Sequence, residues 1–371
     1  MNFLVVTLAP TLFRDGVYHS YAPYVKEMNV WFDHVDTITI ISPTRYDKPL
    51  LTAPFKRNDI QVVSIPWIQF SSFLTTLRSL LQLPLLFFSL LKAMHRADHI
   101  HLRCPGTISL LGCIAQVFFP KKPKTAKYAG NWDPDSKQPL SYRLQKYILS
   151  ATSLTKNMKV LVYGQWPNQS DNIYPFFTAS YPKEKIPGIQ NKTFKSPYHF
   201  LFIGALAKGK RPLYAIQLIE KLYKNGIACY LDLYGDGAER VYLEKYVAEN
   251  SLQSFITFHG NQSAVIVEEA YKKSRFLVLP SQSEGWPKVV AEAMFWGVVP
   301  FVTPISCVPW MLGSGSRGLL LEMDLDTDKL HIAQALKDPL RLQELSQEGQ
   351  KWSQEYTLDY FEAEIIKLVR S

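Results

Sequence analysis

Short aliphatic runs alternate with longer helical patterns along almost the whole chain, and this alternation constrains the fold more than any other feature. In the first half of the chain the aliphatic runs fall near residues 3–7, 37–41, 60–65, 99–103, 125–129 and 159–163. Short apolar runs suit strands that are buried on both faces, and helices between them are typical of βαβ crossover units. The pattern therefore predicts an α/β fold built on parallel sheets.

A second series of the same kind occupies the C-terminal half, after a stretch rich in Lys, Pro, Asn and Gly. A chain of 371 residues is long enough for two or three domains, each with its own core. We expect an N-terminal domain over residues 1–180, a linker over 181–197, a C-terminal domain over 198–355 and a final helix over 356–371 that packs back toward the N-terminal domain.

The composition limits the class of protein and its partners. Lysine and arginine number 41 against 32 aspartates and glutamates, a basic balance that fits nucleic acid, anionic lipid or a small anionic substrate. The four cysteines form no C-x-x-C pair, which is typical of buried thiols in a reducing compartment. The first residues enter an apolar run without a basic, cleavable leader, so we expect the protein in the cytoplasm.

Two apolar stretches in the N-terminal half, residues 70–91 and 110–119, precede a basic cluster. The cluster consists of Lys121, Lys122 and Lys124. Arg78 and Pro84 lie inside the first stretch and predict a pair of apolar helices rather than a membrane span. Two interpretations stay open. The helices can be core and the lysines a solvated turn, or together they form a basic, amphipathic face that contacts an anionic surface at the inner face of the plasma membrane.

Strands of the second series end in glycine, as at Gly204 and Gly235. Ligands of open parallel sheets bind at the carboxyl ends of the strands, where a glycine lets the backbone approach a bound molecule. A tight turn is the alternative explanation for each single glycine.

The most informative stretch, residues 276–302, predicts one βαβ unit. A buried strand leads into a loop that carries Glu284, Pro287 begins a helix, and Gly297 ends it. The free amides of the first helical turn form an anion site that suits a diphosphate. Glu292 follows Glu284 by eight residues, so both carboxylates can face one cleft and hold sugar and ribose hydroxyls.

This spacing, with the surrounding Glu-Gly-Trp-Pro-Lys and Glu-Ala-Met segments, resembles the E-x7-E signature of family-4 retaining glycosyltransferases. The resemblance implies the GT-B fold, in which two Rossmann-like domains face each other across a cleft. It also implies that Glu284 contacts the donor sugar and Glu292 the ribose. The segment implied to meet the diphosphate comprises Gly285, Trp286, Pro287, Lys288 and Val289.

A second match follows the strand predicted at 199–204 and looks like the family's G-R-L-x3-K turn, which neutralises the leaving diphosphate. Lys210 takes the lysine position, and Ala205 stands where the family has arginine. Lys208 or Arg211 can supply the missing charge from the same loop. A basic surface turn that caps a helix is the alternative.

The N-terminal half matches the family less clearly. Gly16 resembles the glycine loop beside the donor phosphates. Asn131 or Asp133 stands where many relatives carry a histidine that faces the donor sugar, although a simple turn is the alternative. Arg103 ends another strand and is a candidate ligand for an anionic acceptor or a donor phosphate, with an ordinary surface arginine as the alternative.

Asp133, Pro134 and Asp135 also spell the D-x-D pattern that manganese-dependent GT-A transferases use. Pro134 favours a turn here, and in the GT-B family a basic turn takes the place of the metal. We therefore expect no metal site and no cofactor beyond the donor substrate.

The resemblance implies a retaining glycosyltransferase that moves a sugar from a nucleotide-sugar donor, with UDP favoured over GDP, to a glycan or lipid-linked acceptor. The setting it implies is bacterial surface-polysaccharide or glycoconjugate synthesis, without a nucleic-acid partner. Two alternatives stay open. One is a GT-B-like sugar-nucleotide epimerase that needs no acceptor, and the other is a non-catalytic nucleotide-sugar-binding paralogue, which the departure at Ala205 favours.

Overall fold

The computed structural model describes residues 1–68 and 72–370, which divide into two units. The N-terminal unit comprises Met1–Phe177 together with the segment that begins at Phe361. The C-terminal unit comprises Thr178–Tyr360.

A parallel sheet forms the centre of the N-terminal unit. The strands of this unit are β1 (Asn2–Val6), β2 (Leu12–Arg14), β3 (Val17–Tyr21), β4 (Thr37–Pro43), β5 (Thr52–Pro54), β6 (Gln61–Ile65), β7 (His99–Cys104), β8 (Lys124–Tyr128), β9 (Met158–Tyr163) and β10 (Ile173–Phe176). Its helices are α1 (Ala22–Phe32), α2 (Phe73–Arg96), α3 (Thr107–Ala115) and α4 (Leu140–Ser150). The parallel sheet has the order β10-β9-β8-β7-β1-β4-β6, and β2, β3 and β5 form a separate antiparallel sheet.

The central strands are buried on both faces, as their sequence predicts. In β1, Val6 lies beside Ile41 of β4 and Leu102 of β7, and all three side chains are buried. The first helix of the crossover, α1, buries Met28 and Trp31. The predicted α/β class with parallel sheets is confirmed.

One helix, α2, replaces the pair of helices predicted over 70–91, of which residues 70 and 71 lie outside the described residues. Pro84 lies inside α2. A proline inside a helix costs about 3 kcal/mol, because it removes a hydrogen bond and crowds the preceding turn. Leu86, Leu90 and Met94 are buried in the core of the unit, and each such burial contributes about 1.5–3 kcal/mol. Packing therefore offsets the proline and keeps the helix continuous.

The C-terminal unit contains a second parallel sheet. Its strands are β11 (Tyr198–Ile203), β12 (Cys229–Tyr234), β13 (Ile256–Gly260), β14 (Phe276–Leu279), β15 (Val299–Val302) and β16 (Leu319–Leu320), in the order β13-β12-β11-β14-β15-β16. Its helices are α5 (Pro212–Lys224), α6 (Arg240–Glu249), α7 (Ala264–Lys273), α8 (Lys288–Phe295), α9 (Val308–Met311), α10 (Leu325–Ala335) and α11 (Pro339–Gln354). Because β11 and β14 are parallel neighbours, the loops that follow them leave the same edge of the sheet.

The segment predicted as a linker, 181–197, packs on the C-terminal unit. Nζ of Lys192 donates to the carbonyls of Tyr271 and Ser274 at the C-terminal end of α7, at 2.7 Å each. The ring of Phe194 lies 5.6 Å from that of Phe276 on β14, centroid to centroid. These two anchors explain why a segment without regular apolar spacing belongs to this unit.

The final helix, α12 (Leu358–Arg370), belongs to the N-terminal unit from Phe361 onward. The ring of Phe361 is buried and lies 5.6 Å from the ring of Phe176 and 5.8 Å from that of Phe177. Aromatic packing beside β10 therefore fixes the last helix to this unit.

Candidate active site

The loop that joins β14 to α8 is tied to the basic turn that precedes α5. The turn is a 3₁₀ helix over Lys208–Lys210, after which Arg211 adopts a left-handed conformation with φ of 51°. The carbonyl of Gly209 accepts a hydrogen bond of 2.8 Å from the amide of Gln282. This bond holds the two segments side by side at the carboxyl edge of the C-terminal sheet.

This contact brings together the two residues predicted to be catalytic. Nζ of Lys210 lies 2.5 Å from Oε1 of Glu284, and the two side chains are 32% and 10% exposed. An ion pair that is open to water on one side contributes only about 0–1 kcal/mol to folding. A ligand that offers hydroxyls to the carboxylate and phosphate oxygens to the ammonium can therefore replace each partner at little cost.

Glu292 has different surroundings from Glu284. Its Oε1 accepts a hydrogen bond of 2.5 Å from Oγ of Ser180, and its Oε2 accepts one of 3.1 Å from the hydroxyl of Tyr271. Burial, reinforced by the negative charge of Glu292, raises the pKa of Tyr271 well above its ordinary value, so this hydroxyl remains a donor. Two neutral donors thus fix the carboxylate, which keeps capacity to accept further hydrogen bonds.

The segment predicted to meet a diphosphate, Gly285 to Val289, covers the end of the loop and the start of α8. Pro287 is the N-cap of α8, and no described side chain caps the helix there. Lys288 and Val289 form the first turn of α8, and a helix N-terminus of this kind favours an anion. Oγ of Ser306 donates to the carbonyl of Gly285 at 3.0 Å and so helps to fix the loop.

Trp286, within the same segment, is buried rather than turned toward a ligand. Its ring lies 6.2 Å from the ring of Trp310, 6.1 Å from that of Trp352 and 5.9 Å from that of Tyr356. The side chain therefore anchors the loop in an aromatic cluster.

The other cations of the basic turn lie in different places. Lys208 is exposed, as is Ala205 at the position where an arginine was expected. Arg211 lines a cavity of about 610 Å³ at the carboxyl ends of β14 and β15, together with Ser281 and Thr303. Of the three cations in the basic turn, Arg211 is the one that lines this cavity.

Gly235, one of the predicted donor-site glycines, lies against protein backbone. A Cβ atom added at Gly235, where φ is 130°, would lie 2.0 Å from the carbonyl oxygen of Gly204. The amide of Gly204 in turn donates to the carbonyl of Tyr234 at 2.9 Å. Glycine at 235 is therefore required by the approach of the loop after β11 to the loop after β12, whereas we predicted an approach to a ligand.

Arg103, predicted as a free cation at the end of β7, is paired within the N-terminal unit. Its guanidinium donates to both carboxylate oxygens of Glu27 on α1, at 2.5 and 3.0 Å. Its side chain is 16% exposed and that of Glu27 is 6% exposed. The pair is mostly buried, so taking Arg103 for a ligand would leave the Glu27 carboxylate uncompensated, at a substantial cost.

Gly16 follows the first strand, as expected, and lies in a hairpin turn. Asp15 and Gly16 have φ of 50° and 81° and form the turn between β2 and β3. Positive φ at both central residues is the requirement of a type I′ hairpin turn. The structure therefore places Gly16 at an exposed hairpin tip within the connection that leads from β1 to α1.

Asn131 and Asp133 build local turns. Oδ1 of Asn131 accepts from the amide of Asp133, and Oδ1 of Asp133 accepts from the amide of Asp135, at 2.9 Å each. These contacts are the Asx turns that such residues favour. Over residues 1–68 and 72–370, no three His, Cys, Asp or Glu side chains form a group that could hold a metal ion.

Two contributors to the site were missed in the sequence. Ser180 lies at the start of the C-terminal unit and Tyr271 on α7, and both reach Glu292 through the fold. Neither stands in a motif with Glu292, and no local spacing signals the contact. The contact between Tyr271 and Glu292 depends on how closely α7 packs against α8, and the order of the strands does not determine that distance.

Comparison with known proteins identifies this part of the chain. Residues 185–352 match the family described as glycosyl transferases group 1. The matched residues lie within the C-terminal unit and make up less than half of the chain. An uncharacterized glycosyltransferase of Methanocaldococcus jannaschii is 29% identical over 162 residues, which are 43% of this chain and 44% of the relative. The chain spans less than half the length of the curated relatives it matches.

Solved structures extend the likeness to the whole chain. Anabaena HepE in complex with UDP has a TM-score of 0.68 at 14% identity, with 100% of each chain covered. WaaG, a glycosyltransferase involved in lipopolysaccharide biosynthesis, has a TM-score of 0.63 at 12% identity, with 99% of each chain covered. At such identities the likeness shows the fold alone, and it is the fold of GT-B glycosyltransferases, as the sequence resemblance implied.

Proposed function

We propose that this chain is a retaining, family-4 type glycosyltransferase. It transfers a sugar from a nucleotide-sugar donor, with UDP favoured over GDP, to a glycan or lipid-linked acceptor. The observation that carries the proposal is the pair of Lys210 and Glu284, which juxtaposes a cation and a carboxylate at the carboxyl edge of a group 1 domain. The UDP held by HepE supports the choice of nucleotide.

In the proposed complex the donor replaces the ion pair. Glu284 accepts hydrogen bonds from the sugar hydroxyls, while Lys210 and the first-turn amides of α8 hold the diphosphate. Glu292 accepts from the ribose hydroxyls with the lone pairs that Ser180 and Tyr271 leave free. Each group is already fixed in place, so little reorganisation is needed when charge develops on the leaving group.

The reaction that fits these groups is a same-face displacement at the anomeric carbon. The bond from that carbon to the diphosphate oxygen breaks, and a bond to the acceptor hydroxyl oxygen forms on the same face. The proton of the acceptor hydroxyl passes to the departing phosphate oxygen. Lys210 stabilises the negative charge of the departing diphosphate, and the configuration is retained.

A donor panel tests the proposal. The purified chain is incubated with UDP-, GDP- and other activated sugars, with and without a lipid or glycan acceptor, and free nucleotide and sugar products are measured by mass spectrometry. Nucleotide release that requires acceptor supports the transferase. An isomerised or hydrolysed sugar without acceptor would indicate an epimerase, and no turnover across the panel would indicate a non-catalytic paralogue.

Transfer is expected to persist in excess chelator. The ammonium of Lys210 and the amides of α8 supply the positive charge that a divalent ion supplies in metal-dependent transferases. The measurement is the initial rate with EDTA, with manganese and with neither. Activity that disappears with EDTA and returns with manganese would contradict this prediction and return Asp133 and Asp135 to consideration as ligands.

We also propose that the protein works at the inner face of the plasma membrane, in surface-polysaccharide or glycoconjugate synthesis. The support lies in α2. Its segment Thr76–Arg96 is long and apolar enough to cross a membrane, and only 22% of its most apolar 18 residues are buried inside the protein. The outward face carries a row of exposed apolar residues, which we call the α2 stripe. The α2 stripe consists of Leu77, Leu81, Leu85 and Phe88, which are 46%, 71%, 74% and 68% exposed.

The charges around the stripe fit an anionic lipid surface. The sequence of α2 contains no acidic residue, while Arg78, Lys92 and Arg96 are exposed along it. Two lysines of the predicted basic cluster have structural roles instead. Nζ of Lys122 donates to the carbonyl of His95 at 2.7 Å, and Nζ of Lys124 to that of Phe119 at 2.8 Å. The cations of α2 thus replace them in the proposed contact.

Replacing Leu81 and Leu85 by Ser is expected to lower binding to anionic vesicles at least about tenfold. Each leucine removed from water contributes about 1.5–3 kcal/mol when fully buried, and a tenfold change needs about 1.4 kcal/mol. The measurement is co-sedimentation with phosphatidylglycerol vesicles at increasing salt, which should weaken binding.

The matched control replaces Val241 and Leu340 by Ser, which are 78% and 75% exposed in the C-terminal unit. The control variant should bind as the unchanged chain does. Equal recovery in the supernatant with and without anionic vesicles would contradict the membrane proposal, as would equal losses in the two variants.

A further inference from the structure

A cavity of about 590 Å³ lies at the amino-terminal edge of the N-terminal sheet, away from the carboxyl ends of its strands. His99, Lys124 and Met158, the first residues of β7, β8 and β9, line it. Its charged lining consists of Lys121, Lys124, Lys156, Lys159 and Asp171. No residue of the proposed active site takes part, so this cavity needs its own explanation.

The lysines of this cavity are poorly compensated. In the part of the chain that the structure describes, no carboxylate lies within ion-pair distance of Lys121, Lys156 or Lys159. Nζ of Lys159 lies 5.9 Å from the centroid of the Tyr174 ring, and Lys124 is buried. The ammonium of Lys124 already donates to backbone carbonyls, so the uncompensated charges at the cavity are those of Lys121, Lys156 and Lys159. One aspartate does not balance three ammonium groups, and a bound anion would supply the missing negative charge.

His99, at the inner wall of the cavity, carries no charge that would add to that of the lysines. His99 is 1% exposed, and its Nδ1 has no hydrogen-bond partner among the described residues. Its Nε2 lies 2.9 Å from Oγ1 of Thr125, and Nδ1 of His101 lies 2.9 Å from the same oxygen. Burial, with the nearby charge of Lys159, lowers the pKa of His99 to about 4, so the ring is neutral at neutral pH.

The hydroxyl of Thr125 carries one proton, so it donates to one imidazole and accepts from the other. In one of the two arrangements Nδ1 of His101 donates to Thr125, and Thr125 donates to Nε2 of His99. The remaining proton of His99 then lies on Nδ1, the nitrogen without a partner.

We propose that this cavity binds a phosphate-class dianion, held by Lys156, Lys159 and Lys121. A dianion fits because these three lysines face one aspartate, Asp171, in the lining. The ligand chemistry is that of inorganic phosphate or a phosphomonoester, free or as a lipid headgroup. The lipid source is open because the turn that carries Lys121 also holds the end of α2 through Lys122.

The test replaces Lys156 and Lys159 by Gln and titrates inorganic phosphate at constant ionic strength, with phosphorus NMR and the thermal unfolding midpoint as readouts. We expect saturable binding to the unchanged chain and at least about a tenfold weaker apparent Kd in the variant. A control variant, Lys195→Gln with Lys337→Gln, removes two exposed lysines of the C-terminal unit and should bind phosphate normally.

A second arm uses neutral vesicles with and without phosphatidic acid. Phosphate binding that the variant loses supports the site, and so does binding to phosphatidic acid vesicles alone when the variant loses it. Equal binding by the variant and the unchanged chain in both arms overturns the proposal. Sugar transfer enters neither readout, so the result stands apart from that of the donor panel.

Discussion

Glu284→Gln is expected to lower the rate of sugar transfer by roughly a thousandfold while the chain stays folded. The neutral amide replaces a carboxylate that accepts hydrogen bonds from the donor, and loss of one preorganised partner of a transition state costs about 10²–10³ in rate. Folding is kept because Lys210, 32% exposed, turns to water when its partner is neutral. The measurements are the transfer rate at saturating donor and the thermal unfolding midpoint.

Glu220→Gln is the matched control for this variant. Glu220 pairs with Lys224 at 2.6 Å and its side chain is 9% exposed, close to the 10% of Glu284. It lies on α5 and faces Tyr246, away from the β14 loop. Transfer should be unchanged in this control. If Glu284→Gln kept full activity, or if both variants lost activity to the same extent, the assignment of Glu284 would fail.

The sequence predicted best the part of the site whose residues follow one another closely along the chain. A buried strand, a loop with Glu284 and a helix that starts beside Pro287 follow each other in one βαβ unit, so their spacing fixes their arrangement. The meeting of Lys210 with Glu284 needs one more step, because it depends on β11 and β14 being neighbours. Parallel topology supplies that step by placing both strand ends at one edge.

Contacts that depend on the position of a helix relative to the sheet could not be predicted from strand order and local spacing. Arg103 ends a strand as expected, but its partner Glu27 comes from α1, and only the packing of α1 on the sheet brings them together. The same holds for Ser180 and Tyr271, which reach Glu292 from elements with no shared motif. The counter-ion of a buried charge can therefore come from a distant part of the sequence, as Glu27 does for Arg103.

One feature of the fold was within reach of the sequence. Asp15-Gly16 is a strong signal for a two-residue hairpin turn, because both positions tolerate positive φ. Apolar residues on both sides, such as Leu12 and Val17, complete the pattern of β2 and β3. The resemblance to a glycine loop drew attention to Gly16 for another reason, whereas the turn chemistry explains its place in the hairpin.

Lys210→Ala is expected to lower transfer at least about a hundredfold. The ammonium is the proposed partner of the departing diphosphate, and no water molecule supplies a fixed charge in its place. Lys208→Ala is the control from the same turn, since Lys208 is exposed and is expected to change the rate little. If Lys208→Ala were the more damaging variant, the alignment of the turn would be wrong, and Lys208 would take the lysine position.

The double variant, Lys210→Ala with Glu284→Gln, decides whether the two residues act as one unit. The single change at Lys210 leaves a carboxylate that is 10% exposed without its cation, so part of its effect on stability should be relieved when Glu284 becomes neutral. For transfer, two groups that hold the same donor should show strong coupling, with the double variant losing about as much as the worse single one. Losses that multiply would mean that Lys210 and Glu284 contribute to transfer independently and do not act as one unit.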